Sequence, residues 1–235
     1  MLHDDDNVGS RRATATAALL GVLTLGMSIA LLLVMPSSAS LAPGWKTPII
    51  ALELATSWAD LAFIVGEDAS QMRAAFRLGQ TLDHVFPFLY GGLIGLISWA
   101  HVQRRTPLHL GVVVVVTVVV IAGDHLENAA IADVMTAAAA GGNDTSVLGP
   151  LQLWTWTKWG AIACALAVAA RHLGARHGVW GVVCIAPLLP TALAMTTRTA
   201  VWGEVMAGLV SLAIGLLSLL ALYDGAQQWR EKRPS

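Results

Sequence analysis

The stretch of residues 108–135, LHLGVVVVVTVVVIAGDHLENAAIADVM, constrains the fold more than any other part of the chain. It begins with an apolar run, residues 108–123, that as a helix covers about 24 Å of the roughly 30 Å hydrocarbon core of a bilayer. Asp124, His125, Glu127 and Asn128 follow before the crossing is complete. Ionisable groups at membrane depth are energetically costly, so this polar group is a candidate functional site.

The composition of the chain is that of a membrane protein. Its 235 residues are 56% hydrophobic and only 12% charged, whereas a soluble domain carries about 25% charged residues. The formal net charge of -1, with no stripe of Lys and Arg, excludes a basic nucleic-acid binder. Cys164 and Cys184 both lie inside apolar runs without metal-ligand spacing, which indicates buried small side chains.

The apolar runs predict an all-α, polytopic membrane bundle with six transmembrane helices. Residues 1–12 are predicted to form a disordered cytoplasmic tail, and residues 225–235 a second cytoplasmic tail. A cleaved signal peptide is the alternative for the first apolar run, but signal h-regions span only about 7–15 residues, so its length favours a retained helix. The predicted spans are residues 13–35, 83–101, 108–135, 150–170, 178–196 and 200–223.

Residues 48–82 are predicted to form an external helical segment between the first two spans. Ser57 and Asp60 fit a capping box, which predicts a short helix starting near Ser57. The alternative is that residues 48–66 cross the membrane. It is disfavoured because the Glu53 and Asp60 carboxylates would then lie near the bilayer centre, at a cost of several kcal/mol.

The distribution of basic residues predicts the topology of the six spans. Cytoplasmic loops of membrane proteins carry an excess of Lys and Arg, and a cytoplasmic N-terminus in a cell membrane gives that result here. The C-terminus is then cytoplasmic as well. The basic residues on the cytoplasmic side are Arg11, Arg12, Arg104, Arg105, Arg171, Arg176, Arg230, Lys232 and Arg233. Those on the external side are Lys46, Arg73, Arg77 and Arg198.

With this topology, polar residues from several predicted elements gather in the outer half of the bundle. Lys158 is a cation inside a span and needs an acidic partner, for which its depth indicates Asp124, Glu127 or Asp83. The candidate catalytic residues are Asp124, Glu127, Asp83 and Lys158, and the candidate ligand-binding residues are Asn128, Tyr90, Glu53 and Trp159. The alternatives are a purely structural hydrogen-bond network between helices, and a Lys158 side chain that extends to the membrane surface.

Three functions are compatible with such a site. The first is binding or transformation of a lipid or isoprenoid in the outer leaflet, with Asp124 and Glu127 as an acid–base pair. The second is a membrane scaffold or assembly protein with a structural polar cluster, and the third is a proton- or cation-coupled carrier. The sequence does not decide whether the protein is an enzyme. It assigns no cofactor and no metal ligand, although carboxylate oxygens would suit Mg²⁺ or Ca²⁺.

Three short motifs carry a resemblance to a known group of proteins. They are Asp83-x-x-Phe86 with Tyr90 in the second predicted span, Asp124-x-x-Glu127-Asn128 in the third, and Lys158-Trp159 in the fourth. Together with Glu53-Leu54-Ala55, this pattern resembles a family of small bacterial multi-spanning membrane proteins without an assigned activity. The resemblance covers roughly residues 15–170 and implies the same site residues, but it implies no reaction.

Overall fold

The computed structural model describes residues 2–101, 106–174 and 178–231, and these ranges are helical without a strand. They contain nine α-helices, with short 3-10 helices at Ala62–Ile64, Glu67–Ala69 and Thr145–Val147. The α-helices are α1 (Leu2–Val34), α2 (Pro48–Glu53), α3 (Ser70–Asp83), α4 (Phe86–His101), α5 (Pro107–Ala139), α6 (Leu148–Gly174), α7 (Gly178–Ile185), α8 (Leu188–Thr197) and α9 (Ala200–Glu231).

Five stretches among the described residues are long and apolar enough to cross a membrane, which indicates a multi-pass membrane protein. They are Arg12–Val34, Glu67–His101, Pro107–Ala139, Gly178–Thr197 and Ala200–Arg230. The fourth predicted span corresponds to α6, which is not among these five stretches. This helix carries Gln152, Lys158 and Arg171, and it packs against α4, α5, α7, α8 and α9.

The long helices pack around α5 and α6, which form the most extensive helix pair. Helix α1 packs against α4 and α9, while α7 packs on α6 and α8 on α9. One apolar core lies between these helices and includes the buried residues Leu93, Ile97, Val120, Leu166 and Leu217. A second core lies where α3 and the loop before it cover α5 and α6, and it includes Leu61, Ile64, Phe76, Ile131 and Leu151.

The segment between α2 and α3 differs from the prediction. No helix starts at Ser57, because the Asp60 carboxylate accepts hydrogen bonds from the backbone N–H groups and hydroxyls of Thr56 and Ser57 and so closes a turn. Partial burial would raise the pKa of Asp60, but these hydrogen bonds outweigh it and hold that pKa below its ordinary value. Helix α3 buries one stripe, formed by Arg73, Phe76 and Gly79.

Several predicted boundaries also need correction. The second span was predicted to begin at Asp83, but Asp83 ends α3 and α4 begins at Phe86. The fifth predicted span is two helices, because α7 ends before Pro187, whose ring cannot donate a backbone hydrogen bond. The predicted N-terminal disorder also differs from the structure, in which α1 begins at Leu2, and α5 extends to Ala139 into the predicted loop.

Gly21 is expected to be required for the contact between α1 and α9. A Cβ atom at this position would lie 2.8 Å from the backbone oxygen of Ser218, so Gly21→Ala must push the two helices apart at a cost of about 1–3 kcal/mol. Thermal unfolding of the detergent-solubilised protein measures this loss. Gly26→Ala on the same helix is the matched control, because a Cβ there meets nothing within 4 Å. Equal melting temperatures for the two variants would contradict the observed packing.

Candidate functional site

Helix α2 brings Glu53 into the bundle from outside the long helices. It begins with Pro48, and the Glu204 carboxylate on α9 accepts hydrogen bonds of 2.8 and 2.7 Å from the backbone N–H and hydroxyl of Thr47. At its other end, the Thr155 hydroxyl on α6 donates to the Glu53 carbonyl over 3.0 Å. Helix α2 is therefore attached at both ends, and the Glu53 side chain is directed between α5 and α6.

Gly123 allows α5 and α6 to approach closely beside this point. A Cβ atom on Gly123 would lie 3.3 Å from the backbone nitrogen and 3.4 Å from the Cα of Lys158. Few real side chains tolerate such distances to backbone, so a larger residue would force the helices apart. One turn further along α5, Glu127 meets the Lys158 side chain.

Lys158 lies between two carboxylates. Its Nζ atom is 2.9 Å from Glu53 Oε1 and forms an ion pair with Glu127 Oε2. Glu53 Oε2 accepts a 3.0 Å hydrogen bond from the Trp159 indole, and the Lys158 Nζ atom also lies 4.9 Å from the centre of that ring. All four residues are buried, with Glu127 completely so. The Lys158 side chain does not extend to the surface, contrary to the alternative considered from its depth.

The third carboxylate belongs to Asp124 and is held by two other residues. The Tyr90 hydroxyl on α4 donates a 2.5 Å hydrogen bond to Asp124 Oδ2, and the Asn128 amide donates over 3.4 Å to Oδ1. Asp124, Asn128 and Tyr90 are each at most 4% exposed. Asn128 can reach Asp124 because residues four apart on an α-helix share a face.

Tyr90→Phe is expected to destabilise the protein by about 1.5–3 kcal/mol, since the substitution removes the short hydrogen bond to a buried carboxylate. The shape of the ring is unchanged, so the loss isolates the hydroxyl. Thermal or denaturant unfolding in detergent measures it. Tyr223→Phe is the matched control, because Tyr223 is 60% exposed and is the one other tyrosine in the chain. A stability unchanged in both variants would show that the Tyr90 hydroxyl does not support Asp124.

The acceptors of the cluster outnumber its donors. Glu53, Asp124 and Glu127 supply three carboxyl groups, whereas Lys158 supplies one ammonium, which lies against Glu53 and Glu127. Glu127 Oε1 and Asn128 Oδ1 are buried with no hydrogen-bond partner among the described residues. Buried polar atoms are normally paired, so these two oxygens mark a place where a proton, a water molecule or a ligand group is needed.

Seven of the eight candidate residues come together in this cluster, and Asp83 lies at its edge. Asp83 is half-buried at the end of α3 and interacts with Tyr90 and Asp124 through its charge. His125 faces away from the cluster, with its ring 5.9 Å from that of His84 and 5.0 Å from that of Phe88.

Three further residues support the cluster, and none of them was among the predicted site residues. Thr155 was not identified, although it lies three residues before Lys158 and four before Trp159, a spacing that places it on the same helical face. Gln152 lies one further turn away, and its amide donates over 3.4 Å to the Ala55 carbonyl. Glu204 on α9 accepts hydrogen bonds from Lys46 and Thr47, the residues that precede α2. No sequence pattern indicates that contact.

A second polar group lies at the opposite end of the bundle, where few polar residues were predicted beyond His101. His101 Nε2 is 3.5 Å from Asp224 Oδ2, and the rings of His109 and His172 are 6.3 Å apart. Most buried residues between the two groups are apolar, such as Ile97, Val120 and Leu166, and the buried polar ones there are the hydroxyl residues Thr24, Ser98 and Ser218. Among the described residues, no three His, Cys, Asp or Glu side chains are arranged to hold a metal ion.

Comparisons with known proteins add no assignment. No protein-family model, curated protein or solved structure matches the chain. The resemblance to a family of small bacterial membrane proteins therefore stays a prediction, and the chemistry of the cluster is argued from its geometry.

Proposed function

We propose that the cluster of Glu53, Asp124, Glu127 and Lys158, here called the acid–lysine cluster, is a proton-exchanging site that serves a lipid or isoprenoid ligand in the outer half of the membrane. The observation that carries this proposal is the excess of buried carboxyl groups over ammonium groups. A charge-balanced set would be sufficient to hold helices together. Two uncompensated negative charges in a buried site are costly, so at least one carboxyl group is expected to carry a proton.

Glu127 is the best candidate for the proton-carrying residue. It is 0% exposed, contacts Lys158 through Oε2, and leaves Oε1 without a partner among the described residues. A proton on Oε1 would turn this unpaired acceptor into a donor. General acid–base catalysis requires a group of this kind, able to give and retake a proton near neutral pH. Asp124, one turn away and bound by Tyr90, is the second member of the acid–base pair.

The proposed topology has six spans, with α6 as the sixth crossing helix beside the five apolar stretches. Two contacts support this topology. His101 lies against Asp224, and His109 lies against His172. Each contact joins helix ends that a six-span bundle places on the same side of the membrane. Positively charged residues are also concentrated at this end, which the positive-inside rule assigns to the cytoplasm. The acid–lysine cluster then lies toward the outer surface of a cell membrane, with both chain termini in the cytoplasm.

Residues 48–83 are proposed to lie at the outer membrane surface as a cover over the cluster. The buried stripe of α3 faces the second apolar core, and its remaining surface carries exposed residues such as Arg77 and Gln71. Helix α2 is too short to cross a bilayer, since six residues extend about 9 Å. This external segment supplies Glu53 to the cluster and separates it from water.

A structural role for the cluster is the second candidate function. Lys158 joins α2 to α5 through Glu53 and Glu127, and Tyr90 joins α4 to α5 through Asp124. A carrier is less well supported, because the described buried residues between the cluster and the His101–Asp224 contact include hydroxyl groups (Thr24, Ser98 and Ser218) but no ionisable side chain. A proton or cation path through the bundle would need polar groups along that stretch.

Infrared difference spectroscopy tests the proposal directly. A protonated carboxyl group absorbs separately from a carboxylate, and the wild-type protein at neutral pH is expected to show that band and to shift it in D2O. Glu127→Gln should remove the band, whereas Glu67→Gln, at an exposed position, should leave it. A spectrum without any protonated carboxyl group would refute the proton-exchanging site.

Thermal unfolding of the same variants distinguishes the structural role. If Glu127→Gln and Asp124→Asn change the melting temperature and leave co-purified lipid unchanged, the cluster is structural. If they preserve the fold but alter the amount or chemical form of the co-purified lipid, the cluster serves that ligand. Native mass spectrometry of the detergent-solubilised protein measures the lipid in each variant.

A further inference from the structure

A groove of about 440 Å³ lies between the first turns of α6 and the end of α8. Its lining combines the polar side chains of Gln152, Thr157 and Arg198 with the apolar side chains of Leu153, Trp156 and Met195. Leu153 and Met195 are 59% and 41% exposed, although they belong to the bundle. A groove lined by an arginine and by exposed apolar side chains has the character of a lipid-binding site.

Arg198 is held in an unusual backbone conformation in the lining of this groove. Its φ of 51° lies in the left-handed region, and it is the one non-glycine residue of the described chain with a positive φ. Such positions normally carry Gly or Asn because a larger side chain is disfavoured there. An outlier of this kind, maintained by surrounding contacts, is frequent at ligand-binding sites.

The Arg198 guanidinium is positioned by α6 and remains available for a ligand. Its Nη1 atom donates a 3.0 Å hydrogen bond to Gln152 Oε1, which uses one of the five N–H donors of the group. The side chain is exposed, and guanidinium groups bind phosphate through paired hydrogen bonds. Lys158 cannot serve this purpose, because it is buried against Glu53 and Glu127.

We propose that this groove binds an anionic phospholipid of the outer leaflet, with the phosphate at Arg198 and an acyl chain along Leu153, Trp156 and Met195. In the proposed topology Arg198 lies at headgroup level, while Trp156 lies about two helical turns below the start of α6. Tryptophan is common near the headgroup level of a membrane, where its apolar ring and its polar N–H group are both accommodated. The positive charge of the groove selects an anionic headgroup over a zwitterionic one.

The groove is adjacent to the acid–lysine cluster. Gln152 contacts Arg198 with its oxygen and the Ala55 carbonyl with its nitrogen, two residues beyond Glu53. Trp156 in the groove lies three residues before Trp159, which donates to Glu53. This inference rests on the proposed function, and it specifies a phosphate-bearing lipid as the ligand class of that site.

Lipid binding to the full-length protein in detergent tests the inference, with phosphatidylglycerol and phosphatidylcholine as probes in native mass spectrometry. Wild-type protein is expected to prefer phosphatidylglycerol by about tenfold, because the choline cation of phosphatidylcholine offsets the attraction between its phosphate and Arg198. Arg198→Gln should abolish the preference, and Arg198→Lys should retain part of it. Arg77→Gln removes an exposed arginine from α3 on the same proposed side and should leave the preference intact.

Leu153→Gln tests the apolar wall independently and keeps the inference open to refutation if Arg198→Gln does not fold. It should weaken binding of both lipids while the preference for phosphatidylglycerol persists. Equal losses in Arg198→Gln and Arg77→Gln would overturn the inference, since binding would then follow overall charge. Complete competition by inorganic phosphate would overturn the requirement for a lipid.

The two proposals can fail separately. If wild-type protein shows no lipid preference but keeps the protonated carboxyl band, the groove assignment is wrong and the acid–base cluster stands. If Arg198→Gln loses the preference while the carboxyl band is absent in every variant, the groove is a lipid site and the proton-exchanging function is wrong. Glu127→Gln should keep the lipid preference, because Glu127 does not line the groove.

Discussion

Lys158→Met is expected to destabilise the protein by about 3–5 kcal/mol, the cost of leaving buried charges without their partner. The substitution keeps most of the side-chain volume but removes the ammonium that faces Glu53 and Glu127. Glu53 then keeps a buried negative charge without its partner, and Glu127 loses its contact with Lys158. Thermal unfolding of the detergent-solubilised protein, followed by the fluorescence of its nine tryptophans, measures the loss.

Two comparisons make the Lys158 prediction specific. Lys46→Met changes an exposed lysine and should alter stability by no more than about 0.5 kcal/mol. Combining Lys158→Met with Glu53→Gln and Glu127→Gln should recover much of the loss, because the triple variant leaves neutral amides in place of the two carboxylates. A Lys158→Met protein as stable as the Lys46→Met control would show that the ammonium does not hold these carboxylates.

Glu53→Ala is expected to destabilise the protein by a similar amount, about 3–5 kcal/mol, through a different mechanism. It leaves the Lys158 ammonium with Glu127 and removes the acceptor of the Trp159 indole hydrogen bond. It also removes the side chain that attaches α2 to the bundle. Limited proteolysis should therefore cleave the segment after α2 faster, and the melting temperature should fall.

The control variants separate charge from anchoring. Glu53→Gln keeps an acceptor for Trp159 and should retain part of the stability, whereas Glu67→Ala, at an exposed position, should behave as wild type. A double-mutant cycle between Lys158→Met and Glu53→Gln should give a coupling energy of about 0.5–3 kcal/mol, as expected for directly contacting groups. A coupling energy of zero would contradict the ion pair.

The sequence predicted the local arrangement of the cluster because helical periodicity is a short-range property. Asp124, Glu127 and Asn128 lie three and four residues apart, and they share one buried face of α5 as expected. The adjacent residues Lys158 and Trp159 are both buried in the cluster. The sequence also indicated that Lys158 needed an acid, since an unpaired ammonium in an apolar environment is unfavourable.

The sequence did not identify which acids bind Lys158. Depth along the chain indicated Asp124, Glu127 or Asp83, whereas the structure places Glu127 and Glu53 against it. Glu53 precedes Lys158 by 105 residues, on a short helix that was assigned to an external segment. Its position depends on the contacts of α2 with α6 and α9, and no periodic pattern in the sequence encodes them.

The same distinction explains the fifth predicted span. Its total apolar length was evident, and Gly178–Thr197 is long and apolar enough to cross a membrane. The interruption before Pro187 was not predicted, although Pro lacks the backbone N–H that a continuous helix requires. Proline within an apolar run can either kink or end a helix. Here the helix ends, and α7 packs on α6 while α8 packs on α9.

The sequence by itself determined that the chain is helical, apolar enough for several membrane crossings, and polar at a few positions of regular spacing. These properties depend on residue type and on contacts within one or two helical turns. The tertiary structure alone decided that Glu53 and Glu127 share one lysine, and that Arg198 lies over an apolar groove beside α6. Those pairings join residues far apart in the chain, and they form only because the helices pack in one arrangement.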